Sequence, residues 1–295
     1  MSAVPRARIG ARPLSVGVVG AGRVGAVLGA ALVAAGHHVV AAAAVSAASR
    51  DRARRLLPGA AILPADDVAR AAGDLLLLAV PDDALGSVVA GLAATGALRP
   101  GQMVAHTSGA HGLAVLGDVT GMALHPAMTF TGADSDLDRL PGIAWGVTTR
   151  DRAFATRLVA DLGGVPEWIA EDARPLYHAA LAHGANHLVT LVNEAADLLR
   201  AAGVEAPGRV LEPLLRAALD NALRLGDAAL TGPVSRGDAG TVGKHLDRLP
   251  SDAVPAYLAL ARRSADRAIA AGRLRPQDAA LLMDVLSRAT VGSPS

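Results

Sequence analysis

A chain of 295 residues is long enough for one large or two modest domains. Its hydrophobic content of 52% and positive mean hydropathy supply a core and exclude global disorder. The formal net charge of +1 gives no general attraction to nucleic acid or to a membrane surface. No apolar run approaches the ~20 residues of a membrane helix, and residues 1–13 lack the apolar core of a signal peptide. They are expected to form a loose tail of a cytosolic protein. Cysteine is absent, so disulfides, thiolate catalysis and Cys-ligated zinc are excluded. Roughly a fifth of the chain is alanine, a bias that a GC-rich coding sequence would give. Of 28 basic residues only Lys244 is lysine, so an amine mechanism has one candidate.

In chain order, residues 14–19 form a β-branched run that ends in Gly20. Residues 23–35 are helical in composition and stop at Gly36, a helix-terminating glycine. A strand is predicted at 39–45 and a helix at 49–57, before Pro58. Residues 75–80 are continuously apolar, as in a strand buried on both faces. Pro81 breaks that run, and Asp82 or Asp83 is placed to cap the next helix. Further strands are predicted at 103–106, 122–124, 143–148 and 165–169. This alternation predicts a parallel, doubly wound α/β sheet over residues 14–170. From 172 to 202 the pattern is one long helical stretch. More helices follow at about 207–225, 239–249, 252–271 and 276–290. Residues 171–295 therefore read as a separate all-α domain.

Gly20-Ala21-Gly22-Arg23-Val24-Gly25 is a G-x-G-x-x-G that follows a predicted strand and opens a predicted helix. That context makes it a dinucleotide loop. Gly20 permits the tight turn, Gly22 lets the backbone approach a pyrophosphate, and Gly25 lets helix and strand pack closely. The amides of Arg23, Val24 and Gly25 then face the phosphate, with Val80 and Pro81 beneath the cofactor. An NAD site places an acid about 20 residues past the glycines. Here that position is near Ser46, and no acid lies between His37 and Arg50. Ser46, Ser49 and Arg50 instead suit a 2′-phosphate, which favours NADP over NAD.

Two strand-end segments hold polar residues in apolar surroundings: His106-Thr107-Ser108-Gly109 and His125-Pro126-Ala127-Met128-Thr129-Phe130. Ligands of open α/β sheets bind at the carboxyl ends of strands. A histidine with a nearby hydroxyl suits the proton movement that accompanies hydride transfer. His125 is the candidate acid/base and Ser108 its partner. His106 and Thr129 are candidate substrate ligands, although each histidine also suits a role in shaping its turn. On the long helix, His178, Ala182 and Asn186 are spaced by four and share a face, so His178 and Asn186 are candidates to close the site. His183 and His187 have metal-pair spacing but no zincin Glu and no third ligand, so no metal is expected. In the loop 230–241, Asp238 is placed to cap the next helix. Arg236 is either turn chemistry or a fork for a substrate carboxylate in the interdomain cleft.

Together with Val80-Pro81-Asp82-Asp83 and Tyr177-His178-Ala179-Ala180, these motifs resemble one bacterial family over residues 14–290. Its members join an N-terminal Rossmann-like domain to a C-terminal domain of unknown function. The family lies in the 6-phosphogluconate-dehydrogenase-like superfamily, beside ketopantoate reductase, pyrroline-5-carboxylate reductase and prephenate dehydrogenase. The resemblance implies an NADP-type oxidoreductase fold and a homodimer through the helical domain, but no substrate. Sister enzymes use a Lys four residues before an Asn on the first long helix. If Asn186 is that Asn, the Lys position is Ala182. Prephenate dehydrogenases use a His-Pro histidine and a preceding serine, the positions of His125 and Ser108. The expectation is an NADP(H)-dependent oxidoreductase of a small hydroxy-, keto- or imino-acid that works through His and Ser. The alternative is an NADP-binding sensor or scaffold without turnover.

Overall fold

The computed structural model describes residues 12–291. Most of the expected tail lies outside the described residues. Within it, the Arg12 guanidinium pairs with Asp74, which also accepts from the Ser15 amide at 2.8 Å.

The first part alternates strands and helices: β1 (Ser15–Val19), α1 (Arg23–Ala34), β2 (His38–Ala43), α2 (Ala47–Leu56), β3 (Ala61–Ile62), α3 (Ala65–Ala71), β4 (Leu75–Leu78), α4 (Asp82–Ala94), β5 (Met103–His106), β6 (Gly121–Pro126), β7 (Ala144–Thr149), α5 (Arg152–Asp161), β8 (Val165–Trp168) and α6 (Arg174–Leu181). The strands form one sheet in the order β3-β2-β1-β4-β5-β6-β7-β8. β4 shows why it is doubly wound. Leu75 and Leu77 enter one core with residues of α1, α2 and α5, while Leu76 and Leu78 enter the other with residues of α3 and α4. Successive side chains point to opposite faces, so a strand covered on both sides must be apolar at every position.

Three features depart from the sequence expectation. The sheet is not wholly parallel: β7 pairs antiparallel with β6, His125 opposite Gly146 and Pro126 opposite Trp145. Residues 127–143 carry a 3-10 turn (Asp134–Arg139) but no crossover helix, so the chain returns along the same edge of β6. β3 and α3 are additional elements, too short to show a period. Asp82 and Asp83 do not cap α4. Pro81 holds the cap position without a side-chain bond, and both acids sit in the first turn, where they favour the helix dipole.

The chain divides into two compact units between Gly184 and Ala185. The division falls within the long helical stretch, whereas the sequence pattern put the boundary at its start, between 170 and 171. The expected continuous helix is interrupted by a π-helical turn, Ala182–Asn186, before α7 (His187–Ala201). The wider turn offsets the i, i+4 face expected to align His178, Ala182 and Asn186. The second unit continues with α8 (Pro207–Leu225), α9 (Gly232–Ser235), α10 (Ala239–Leu246), α11 (Val254–Ala270) and α12 (Pro276–Val291). Its core joins Val242 to Leu258, Ala265, Leu282 and Leu286. Asp238 caps α10 as expected, accepting the Thr241 amide at 3.0 Å. Among the described residues no helix is long and apolar enough to cross a membrane.

Gly17, in the middle of β1, tests the packing of the sheet. A Cβ there would lie 2.9 Å from Ala72 Cβ, Val68 Cγ1 and the Val68 carbonyl oxygen. Gly17→Ala is expected to cost about 1–3 kcal/mol in urea denaturation, as overpacking does. A loss below ~0.5 kcal/mol, typical of surface changes, would contradict this close approach.

Candidate active site

The turn after β1 has the geometry of a phosphate cradle. Gly20 has φ 92°, and a Cβ on it would lie 2.5 Å from the Ala79 carbonyl oxygen and 3.1 Å from Val80 Cγ1. The amides of Gly20 and Ala21 both donate to the Ala43 carbonyl, at 3.1 and 2.9 Å, which ties the turn to the end of β2. A Cβ on Gly25 would collide with the Gly20 carbonyl. Gly22 is different: nothing but the Gly20 oxygen, 3.9 Å away, approaches its Cβ position. Fold packing thus requires Gly20 and Gly25, whereas Gly22 leaves open the space that a side chain would fill. α1 starts at Arg23 with no side-chain cap and no acid in its first turn. Open space, a helix N-terminus without a capping side chain and the absence of a competing carboxylate fit a pyrophosphate. Val80 is half-buried and Pro81 exposed, immediately after β4.

At the end of β2, Ser46 caps α2. Its hydroxyl accepts the Ser49 amide at 3.1 Å, and Ser49 Oγ donates to the Ser46 carbonyl at 2.8 Å. The Arg50 guanidinium folds back onto the Val45 carbonyl. Arg52 and Arg55 of α2 were not singled out by sequence. Arg55 donates to the Gly132 carbonyl at 2.9 Å and pairs with Asp134, and the Arg52 side chain packs against Gly132 beside Arg23. They hold residues 127–143 next to the cradle. Asp136 secures that loop from within, accepting from the Thr131 amide, the Thr131 hydroxyl and the Gly132 amide at 2.7–2.9 Å.

β1, β2, β4, β5 and β6 run parallel, so the cradle and both histidine segments share the carboxyl edge of the sheet. There His125 Nδ1 lies 3.0 Å from Tyr177 Oη. The His125 ring meets Tyr177 edge-on at 5.6 Å and His178 at 6.1 Å. Gly109 packs against the opposite edge of the His125 ring. A Cβ on it would stand 3.1 Å from His125 Cδ2 and Nε2 and 2.7 Å from His178 Cδ2. Ser108 is buried, and its Oγ accepts the His111 amide at 3.0 Å. The structure thus gathers the segments that carry His125, Ser108 and His178, while Asn186, the other candidate to close the site, belongs to the second unit.

Arg174, which the sequence did not reveal, holds this cluster. It is 0% exposed. Nε donates to the His111 carbonyl at 2.9 Å, Nη2 to Ser108 at 2.9 Å and Nη1 to Gly146 on β7 at 3.0 Å. Glu171, one turn earlier, accepts the Leu113 and Ala114 amides at 2.7 and 2.9 Å. Arg174 and Glu171 together fasten residues 108–114 to the start of α6. A charge at the head of a helix ordinarily reads as solvated. The signal available was Arg174-Pro175-Leu176-Tyr177-His178, a cation three residues before an aromatic.

The electrostatics keep His125 and His106 neutral. His125 is pushed down to about 4, first by burial and then by the charge of Arg174 and the His178 ring, against the opposing charge of Asp82. His106 is also pushed down to about 4, chiefly by burial. Burial raises the Tyr177 phenol. His106 is fully buried, and its Nε2 donates to the Gly112 carbonyl at 2.8 Å while Nδ1 has no partner. It therefore shapes the 107–112 turn and presents no surface to a substrate. Thr129 is exposed in the loop after β6. Asn186, which ends the π-turn, and Arg236, which ends α9, are exposed residues of the second unit. Among the described residues no group of three or more ligand side chains suits a metal.

This geometry defines a Rossmann-like unit followed by a helical unit. Residues 3–128 match the Rossmann-like domain model, and residues 143–264 match that of a domain of unknown function, DUF2520. The two matches follow one another along the chain, a Rossmann-like domain and then DUF2520. No curated protein matches it. Among solved structures it is similar to a candidate NADP oxidoreductase from Bacteroides fragilis (21% identity, 86% of this chain and 98% of that one, TM-score 0.70). It is also similar to a reductive aminase from Aspergillus terreus in complex with NADPH and ethyl-5-oxohexanoate (18%, 95% and 94%, TM-score 0.55). A third is a pyrroline carboxylate reductase from Plasmodium falciparum with NADP bound (11%, 91% and 98%, TM-score 0.56). These likenesses establish the shared fold.

Two outcomes follow from the cluster. Arg174→Met removes a charged donor from three carbonyls at once and is expected to cost about 3 kcal/mol or more in chemical denaturation. A loss under ~1 kcal/mol would contradict the clamp. Between pH 6.5 and about 4 the unfolded chain protonates His106 and His125 while the folded chain does not. Stability should therefore be full above pH 6.5 and fall as the pH drops through that window. His125→Asn should flatten the fall of the melting temperature over this range, and an unchanged slope would contradict a buried neutral His125.

Proposed function

We propose that this protein is an NADP(H)-dependent oxidoreductase of a small hydroxy-, keto- or imino-acid that uses His125 and Ser108 where sister enzymes use lysine. The observation that carries the proposal is the placement of the His125 Nε2 edge beside Gly109 and His178, on the strand edge where the Gly22 cradle opens. The neighbours whose structures hold NADP or NADPH share this fold, which supports the choice of cofactor.

The bound dinucleotide would supply or accept a hydride. The amides of Arg23, Val24 and Gly25 hold its pyrophosphate. Ser46, Ser49 and Arg50, with Arg52 as a further cation, take the 2′-phosphate, and no carboxylate between His37 and Arg50 repels it. Val80 and Pro81 line its lower side. His125 handles the substrate proton at Nε2, Ser108 orients the substrate, and His178 bounds the same space. Asn186 is the fourth catalytic candidate, Thr129 and Arg236 are candidate substrate ligands, and individual substitution tests each. Residues 14–170 serve the dinucleotide and 171–295 serve the substrate and dimerisation. A homodimer through the second unit is supported by α7, which buries no residue, and by exposed Leu188, Leu191, Leu214 and Leu223. The absence of lysine at Ala182 favours one other reading, an NADP sensor without turnover.

His125→Asn should lower turnover on keto acids or imines by about 100-fold or more, the scale of general acid catalysis, while NADPH affinity stays the same. Undiminished turnover would remove His125 from the mechanism. NADPH binding without turnover on the whole panel would establish the sensor.

A further inference from the structure

We infer that Tyr177 is a positioning residue that donates its hydroxyl proton to His125 Nδ1 and so fixes His125 as the Nε2–H tautomer. The inference rests on the reading of His125 as the proton-handling group. The two ring nitrogens face different surroundings. Nδ1 has Tyr177 Oη at 3.0 Å. Nε2 lies on the edge that packs against Gly109, where a Cβ would stand 3.1 Å from it.

A neutral imidazole carries one proton, and its second nitrogen only accepts. The bond to Tyr177 therefore decides which nitrogen is the donor. A phenol gives its proton to a basic imidazole nitrogen more readily than it accepts from a neutral N–H. Burial keeps the phenol protonated, and both burial and Arg174 keep the ring neutral. Tyr177 is itself held in place. Its ring stands against Gly146, where any Cβ would approach to 2.5 Å, and the Arg174 guanidinium carbon lies 5.7 Å from its centroid. The residue opposite His125 in the β6–β7 ladder is thus the one that must be glycine for Tyr177 to fit.

His125 consequently works as a neutral donor. A bound reduced dinucleotide would supply the hydride, and His125 would pass its Nε2 proton to the substrate heteroatom while Tyr177 shifts its proton toward Nδ1. Both shifts reverse when Nε2 takes up a proton from solvent, so the Nε2–H tautomer and the neutral phenol are restored. The reduction then consumes one hydride and one solvent proton, and no imidazolium has to form at a buried position that disfavours it.

The test is nitrogen-15 NMR of the histidine rings in the full-length protein without cofactor, with His125 assigned by comparison with His125→Asn. The expected pattern at neutral pH is a protonated Nε2 and an unprotonated Nδ1. Tyr177→Phe, folded by circular dichroism and with unchanged NADPH affinity, should populate the Nδ1–H form and lower kcat about tenfold or more. An Nδ1–H pattern in the native protein would overturn the inference. So would a pattern unaltered in Tyr177→Phe. If the pattern is as expected but His125→Asn keeps full turnover, the positioning stands and the catalytic reading of His125 falls.

Discussion

The buried guanidinium of Arg174 is the interaction on which the rest of the site depends. Removing a cation from water is costly unless it is hydrogen-bonded. Here three of the five N–H donors, one on each nitrogen, go to the carbonyl oxygens of Ser108, His111 and Gly146. Among the described residues no carboxylate forms an ion pair with it, although Glu171 and Asp82 act on it through space. The consequence is geometric. A turn after β5, the antiparallel strand β7 and the head of α6 are held to one planar group whose donors point in fixed directions. His125, Ser108 and His178 stand together because Arg174 fixes the backbone that carries them.

The same arrangement sets the chemistry. A positive charge close to His125 and the burial of its ring both oppose protonation. The site is therefore poor in free charge: one cation spent on carbonyls, a neutral His125 and a protonated Tyr177 phenol. The cradle under α1 has the opposite character, with uncapped amides and the arginines of α1 and α2 near the end of β2. A dinucleotide bound across this edge would place its phosphates on the cationic side and its reactive ring toward the neutral side. That division of labour suits hydride transfer, in which the cofactor is anchored by charge and the reacting atoms are served by weaker, directional donors.

Much of this was legible in the sequence, for reasons that are local. Gly20, Gly22 and Gly25 are readable because a turn that needs a positive φ, a close helix–strand contact and an open approach each leave glycine as the solution. His125 and Ser108 are readable because both follow apolar runs at strand ends. Helices α8, α11 and α12 follow from their periodicity. Arg174 and Tyr177 are not readable in this way, because their partners lie up to 66 residues away in the chain and only the folded sheet brings them together. The reversal of β7 is equally hidden, since an apolar run does not encode strand direction. The π-turn at Ala182–Asn186 changes the helical register by one step without a proline, and its Gly184 alone does not announce a wider turn. His106 shows the reverse error of scale: its type and strand-end position suggest a ligand, but its depth makes it part of the turn.

The central claim is that the open cradle and the acid-free end of β2 select a 2′-phosphorylated dinucleotide. Isothermal titration calorimetry of the unmodified protein with NADPH and with NADH tests it most directly. The account predicts saturable binding of NADPH that is tighter than that of NADH by at least about tenfold, or ~1.4 kcal/mol. Equal or tighter binding of NADH, or no binding of either, would contradict it.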